Sequence, residues 1–227
     1  MPREERPSVI VQKDKSYEYV FTFPPLKPAE SRIHFSIREI EHLSVAALLI
    51  IGVGLSILWF QGFSFSDYLA LSLFVAMFTV SFLAHEIAHK VVAQRHGLWA
   101  EFRLIVIGAL LTLLSIISPL FKIIAPGAVM VAGSSDRRTI GKTSIAGPAT
   151  NITLATAFLA VTFLFTQSNP TLAPVAFFNA WIALFNLIPL GILDGFKIFS
   201  WDKKIWIMAF AASIALAVVT YQRLPSY

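Results

Sequence analysis

His85, Glu86 and His89 are the residues of this chain best equipped for chemistry, and their spacing says which chemistry. The two histidines are four apart, so on a helix they share one face and both imidazoles can ligate a single ion. Glu86 lies off that line but within reach of a water held by the ion. Two imidazole ligands and a carboxylate base make the arrangement of a zinc hydrolase. The pattern His-Glu-x-x-His is weak on its own, because in soluble helices such residues are commonly surface groups. Here the setting argues against that. From Tyr68 to Ala84 the only polar side chains are Tyr, Ser and Thr, a run long enough to form most of a membrane-spanning helix. Ionisable groups at such depth are costly and mark function.

A catalytic zinc site needs a third protein ligand and an open fourth position. The chain has no cysteine, so disulfides, thiolate metal sites and cysteine nucleophiles are excluded. The third ligand must come from another His or a carboxylate. The stretch Phe185-Asn-Leu-Ile-Pro-Leu-Gly-Ile-Leu-Asp-Gly-Phe196 offers Asp194 in an apolar setting broken by Pro189 and Gly191. Proline ends a helix by removing a donor and clashing with the preceding turn. Non-helical backbone at membrane depth is tolerated where it is covered by protein or lines a wet cavity. Alone, the stretch reads equally well as a surface loop whose Asp194 caps the next helix. With His85 and His89 in the same chain, the ligand role is favoured. His96 precedes Gly97 at a helix end and is expected to be an exposed capping residue.

The elements that must position these groups are apolar helices. The chain has 227 residues, 56% hydrophobic and 14% charged, with mean hydropathy +0.72, which indicates an integral helical membrane protein. The net charge of +5 is scattered among loops and gives no nucleic-acid signal. Residues 1–42 form a polar region holding seven of the eighteen Lys and Arg. No apolar signal-peptide core follows the first residues. Period-two patterns at 9–12 and 17–23, and again at Ile33, Phe35 and Ile37, predict a small sheet there. Beyond it, residues 43–227 form a transmembrane domain with its catalytic core at about 68–200. Apolar segments fall at 43–60, 68–94, 104–121, 143–166, 172–189 and 205–219. A short β-branched piece lies at 124–131 and a polar loop at 133–142. The fold expected is an all-α polytopic membrane protein of five to six transmembrane helices, with a re-entrant apolar segment and the N-terminal surface sheet.

These motifs resemble the site-2 proteases, the intramembrane zinc metalloproteases of peptidase family M50. The resemblance rests on His85-Glu-Ile-Ala-His89 and on Asn186-Leu-Ile-Pro-Leu-Gly-Ile-Leu-Asp-Gly195. Ala125-Pro-Gly-Ala-Val129 and Ala146-Gly-Pro-Ala-Thr-Asn151 also look like segments of compact archaeal and bacterial members. The likeness covers about residues 43–200. It departs at Gly191, where many members carry a second proline, so a looser bend is expected there. The resemblance implies cleavage of transmembrane protein substrates within the bilayer, one Zn2+ per chain, and the cell membrane of a prokaryote as location. His85, His89 and Asp194 would hold the zinc, Glu86 would move the proton, and Asn186 would donate to the developing oxyanion.

The placement of Lys and Arg sets the expected orientation. With residues 1–42 cytoplasmic, the loop at 61–67 lies outside and Lys90, Arg95 and Arg103 lie inside. If 104–121 dips in and returns, the basic segment 122–142 stays inside and the uncharged 167–171 lies outside. That gives five full spans and a cytoplasm-proximal site. The rival readings are a zinc transporter or sensor, a di-iron oxygenase and a non-catalytic pseudoprotease. A transporter usually shows paired half-chain symmetry, and none is seen. Di-iron chemistry needs more histidines than the five present. A pseudoprotease is disfavoured because ligands and base are all present.

Overall fold

The computed structural model describes residues 33–60, 68–164 and 172–224. The element order is α1 (Ile37–Phe60), α2 (Tyr68–Arg95), β1 (Trp99–Leu104), α3 (Val106–Ile117), β2 (Gly127–Ala132), α4 (Arg137–Leu164), α5 (Leu172–Asn186), α6 (Asp194–Trp201) and α7 (Lys203–Tyr221). Four of these, α1, α2, α4 and α7, are long and apolar enough to cross a membrane. Among the described residues the chain is mostly helical with one small sheet, and its four long apolar helices mark a membrane protein.

The polar side chains inside these helices are largely satisfied by their own backbone. The hydroxyls of Thr79, Ser81, Thr112, Thr150 and Ser213 each donate to the carbonyl four residues earlier. That bonding matters where no water is present to take the proton. Between the helices the core is aliphatic and aromatic. Ala46, Ile50 and Val53 of α1 meet Phe74, Val75, Phe78 and Phe82 of α2. Leu48, Leu55 and Trp59 of α1 and Leu73 and Val80 of α2 face outward, as lipid-facing side chains would.

Three helix starts carry side-chain caps, whereas α3 and α6 begin without one. Ser36 Oγ accepts from Glu39 N at 3.1 Å, Asp136 Oδ1 from Thr139 N at 2.8 Å, and Asp202 Oδ1 from Lys204 N at 2.8 Å. The bonds from Thr139 hold the Asp136 carboxyl below its usual range. The Ser36 cap explains a difference from expectation. The alternation of Ile33, Phe35 and Ile37 predicts a strand, yet Ile37 opens α1 and residues 33–36 are irregular. The strands expected at 9–12 and 17–23, and the loops at 61–67 and 167–171, fall outside the described residues.

The chain is not all-α, and its sheet is not at the N-terminus among the described residues. β1 and β2 pair antiparallel, from Trp99 opposite Ala132 to Leu104 opposite Gly127. Between them residues 105–126 leave and return to the same end of the ladder, where Ile105 N donates to Pro126 O at 3.0 Å. α3 spans 12 residues, about 18 Å at 1.5 Å per residue. The returning chain runs beside it, with Ile123 N on Ser115 Oγ at 2.7 Å and Ala125 N on Thr112 Oγ1 at 3.2 Å. At the tip, Lys122 Nζ donates to Ser56 Oγ and to the carbonyls of Ser115 and Ser118 at 2.6–2.8 Å.

α4 starts at Arg137, inside the stretch expected to be a polar loop, and carries Pro148 within it. α5 ends at Asn186 before Pro189, and a seven-residue turn leads to α6, a short helix the sequence pattern does not reveal. Gly191 there has φ +42°. A proline is locked near −65°, so the glycine at the position where the chain departs from the motif it resembles is one this turn requires. Trp206 Nε1 donates to Leu187 O at 2.7 Å and ties the turn to α7.

Candidate metal centre

The site forms where α2, α4 and the start of α6 meet. His85 and His89 stand one turn apart on α2, with rings at 4.7 Å and nearly perpendicular. Their Nε2 atoms lie 3.1 Å apart. Asp194, in the first turn of α6, brings Oδ2 to 3.0 Å from His89 Nε2 and 3.6 Å from His85 Nε2. All three are nearly buried, at 2%, 7% and 9% exposure. The structure thus brings together the three side chains expected as ligands, the only such group among the described residues.

The remaining ring nitrogens are committed elsewhere. His89 Nδ1 donates to Thr143 O at 2.7 Å, a carbonyl that can only accept. His85 Nδ1 meets Asn151 Oδ1 at 2.5 Å. Asn151 is held in that orientation because its Nδ2 donates to Asn179 Oδ1 at 2.8 Å. Asn179 in turn donates to Ser81 Oγ and Val175 O, both at 2.9 Å. With both Nδ1 positions protonated, both Nε2 lone pairs face Asp194. This is the outer-shell bonding that fixes the tautomer of a ligating histidine.

The group fits a zinc ion on geometry. Ligand bonds of about 2.0–2.1 Å in a tetrahedral set separate the ligand atoms by about 3.3 Å. The observed edges of 3.0, 3.1 and 3.6 Å bracket that value. α4 passes directly over the triangle at Gly147. A Cβ there would sit 2.3 Å from His89 Nε2 and 2.6 Å from His85 Nε2, so only glycine leaves the space clear.

Glu86 is buried beside the triangle, and its Oε2 accepts from Val129 N of β2 at 3.2 Å. Asn186 is not gathered into the cluster. It ends α5 half-buried, and its Nδ2 donates to Ile182 O of its own helix at 3.0 Å. His96 is exposed at the end of α2, with Nδ1 on Val92 O at 2.8 Å, ahead of Gly97 at φ +76°. Lys197 reaches within 3.7 Å of Asp194 Oδ1, the oxygen turned away from the histidines. The sequence marks Asn151 only as the last residue of the segment 146–151, and no motif marks Asn179. The available signal was an amide in each of two apolar helices, the same signal that singled out Asn186.

No protein-family model matches the chain, and no solved structure matches it. A curated protein of Methanocaldococcus jannaschii, named "Putative zinc metalloprotease", is 31% identical over 204 residues, covering 84% of this chain and 96% of that protein.

Proposed function

The chain belongs to the family of that archaeal zinc metalloprotease, and from this premise we propose that it is an intramembrane zinc endopeptidase of the site-2 protease type, acting on transmembrane protein substrates. One observation carries the reading. Two imidazole nitrogens and a carboxylate oxygen converge within 3.6 Å of one another, beside a buried glutamate, among helices apolar enough to cross a membrane.

His85, His89 and Asp194 would hold one zinc ion. Bound there, the ion would polarise the scissile carbonyl and bring the pKa of a coordinated water down to about 7. Glu86 takes the proton of the attacking water and passes it to the leaving amine. Its burial keeps competing solvent from that proton. Asn186 donates to the developing oxyanion. To do so its amide must turn from the Ile182 carbonyl, which the Asn186 N–H already serves in the helix, so the rotation leaves no orphan. The substrate must unwind locally, because a helical backbone hides its carbonyls.

In the bilayer, residues 105–126 enter and return on one side. An 18 Å helix falls short of the about 30 Å hydrocarbon core, and the paired ends at Leu104 and Gly127 support the excursion. α5 makes the fifth crossing, and the site lies toward the cytoplasm.

The test is metal content of purified protein alongside cleavage of a model transmembrane substrate. Asp194→Ala should lose zinc and activity together. Glu86→Gln should keep zinc and lose turnover. Full zinc occupancy in the first, or normal turnover in the second, refutes the corresponding role. Zinc without cleavage in the parent chain would favour transport or sensing.

A further inference from the structure

α2 presents a second functional face. Glu86, Lys90 and Gln94 follow one another at four-residue intervals, so they line one stripe. Every member of the stripe is tied, directly or through one side chain, to the β1–β2 hairpin. Glu86 Oε2 accepts from Val129 N at 3.2 Å. Lys90 pairs with Glu39 of α1, and both are essentially inaccessible, at 1% and 0% exposure. The other oxygen of Glu39, Oε1, accepts from Phe102 N of β1 at 2.9 Å. Gln94 Nε2 donates to Ala100 O at 3.1 Å.

The register makes these contacts one object. Phe102 and Val129 are direct partners across the ladder. In an antiparallel pair, partners alternate between exchanging both bonds and pointing both amides outward. Phe102 and Val129 are of the second kind, because each amide is bound to a carboxylate instead. The contacts therefore close a ring. It runs from Lys90 to Glu39, to the Phe102 amide, across the ladder to the Val129 amide, to Glu86, and back along one turn of α2.

A buried ion pair is a poor way to gain stability. Desolvation offsets much of the attraction, and apolar residues of equal volume often serve as well. This pair does what an apolar pair could not: it offers a directed acceptor to one backbone amide. Val129 N is the only hydrogen-bond donor to the Glu86 carboxylate among the described residues.

We propose that Glu39 and Lys90 are positioning residues for Glu86. They lock the hairpin against α2 in the register that aims the Val129 amide at the Glu86 carboxylate. The proposal rests on Glu86 being the proton carrier, and it extends the site to α1, which supplies no ligand.

The experiment uses the full chain, zinc-loaded in detergent, with three readouts: bound zinc, exchange protection of the Val129 amide, and kcat and KM on a transmembrane substrate. Glu39→Leu with Lys90→Met removes both charges together. It should retain zinc, lose about tenfold in Val129 protection, and lose roughly a hundredfold in kcat with little change in KM. Glu39→Gln with Lys90→Gln preserves an acceptor for the Phe102 amide and should recover protection and most of kcat. Val129→Pro deletes the donor itself. The Val129 amide takes no part in the ladder, so this variant should fold, bind zinc and show the same fall in kcat. Parent-level kcat in Val129→Pro, or parent-level Val129 protection in the Leu/Met protein, overturns the proposal. If the Leu/Met protein does not fold, Val129→Pro decides. If the parent binds zinc but cleaves nothing, the protease reading has failed, and the exchange comparison still decides whether the pair sets the hairpin.

Discussion

Asn151→Leu separates metal affinity from mere packing. The amide is fully buried and makes three hydrogen bonds: Oδ1 takes the His85 Nδ1 proton at 2.5 Å, and Nδ2 donates to Asn179 Oδ1 at 2.8 Å and to Ser81 O at 3.4 Å. Leucine has nearly the same volume and offers neither atom. The His85 N–H and one lone pair of Asn179 Oδ1 are then left buried without partners. At about 1–3 kcal/mol for each orphaned group, partly offset by the added apolar contact, the fold should lose about 2–4 kcal/mol. The imidazole also loses the acceptor that fixes its tautomer, and such outer-shell losses weaken metal binding by roughly 10–100-fold, or about 1.4–2.7 kcal/mol. Asn151→Asp is the control. It keeps an acceptor for His85 Nδ1 but repels Asn179 Oδ1, so it should lose stability while zinc affinity stays within about threefold of the parent. The assay is competition with a chromogenic chelator, run beside a thermal melt of each detergent-solubilised protein. Parent-level zinc affinity in a folded Asn151→Leu protein would refute the orienting role, whatever the melt shows.

Gly147→Ala should abolish zinc binding with little loss of helix, because its Cβ would stand 2.3 Å from His89 Nε2; metal analysis showing full occupancy would mean α4 can yield there. Asn186→Ala should lower kcat more than it weakens zinc binding. A less stable but fully active Asn186→Ala protein would leave that side chain only its bond to Ile182 O. Single cysteines at Ser134 and Ser168 should label from opposite sides of the membrane with an impermeant thiol reagent; labelling of both from one side would overturn the five-crossing arrangement.

What the sequence makes legible is what repeats along one helix or sits against its surroundings. His85, Glu86 and His89 stand out because each is a costly group in an apolar run. α2 begins at the expected Tyr68 and ends within a residue of the expected bound. Asp194 is legible because Pro189 and Gly191 announce a break. Partners distant in sequence are not legible in this way. Asn151 lies 66 residues from His85, and Asn179 lies 28 from Asn151. No local period links Glu39 to Lys90, 51 residues on. In the sequence, Lys90 reads as a marker of the membrane surface and Glu39 as part of a polar tail. Only the packing of α1 beside α2 makes them a pair. β1 fails for another reason. Trp-Ala-Glu-Phe-Arg-Leu alternates only from Ala100 to Leu104, and nothing in those residues tells that Glu39, His42 and Gln94 bond its outward backbone edge.

The offset of one residue between the two sets on α2 has a mechanical meaning. Successive helical residues are turned by about 100°, so His85 and His89 face α4 and α6 while Glu86, Lys90 and Gln94 face the hairpin and α1. Each set is fixed by its own partners. The histidines are held by Asn151 and the Thr143 carbonyl, and the stripe beside them by Val129, Glu39 and Ala100. The proposed ligands and the proposed proton carrier therefore share a backbone but not a set of supports. A perturbation on the α4 side should act first on metal affinity, and one on the hairpin side first on turnover. The hairpin is also the element that carries the 105–126 excursion. A displacement of that excursion would therefore reach Glu86 through the Val129 amide.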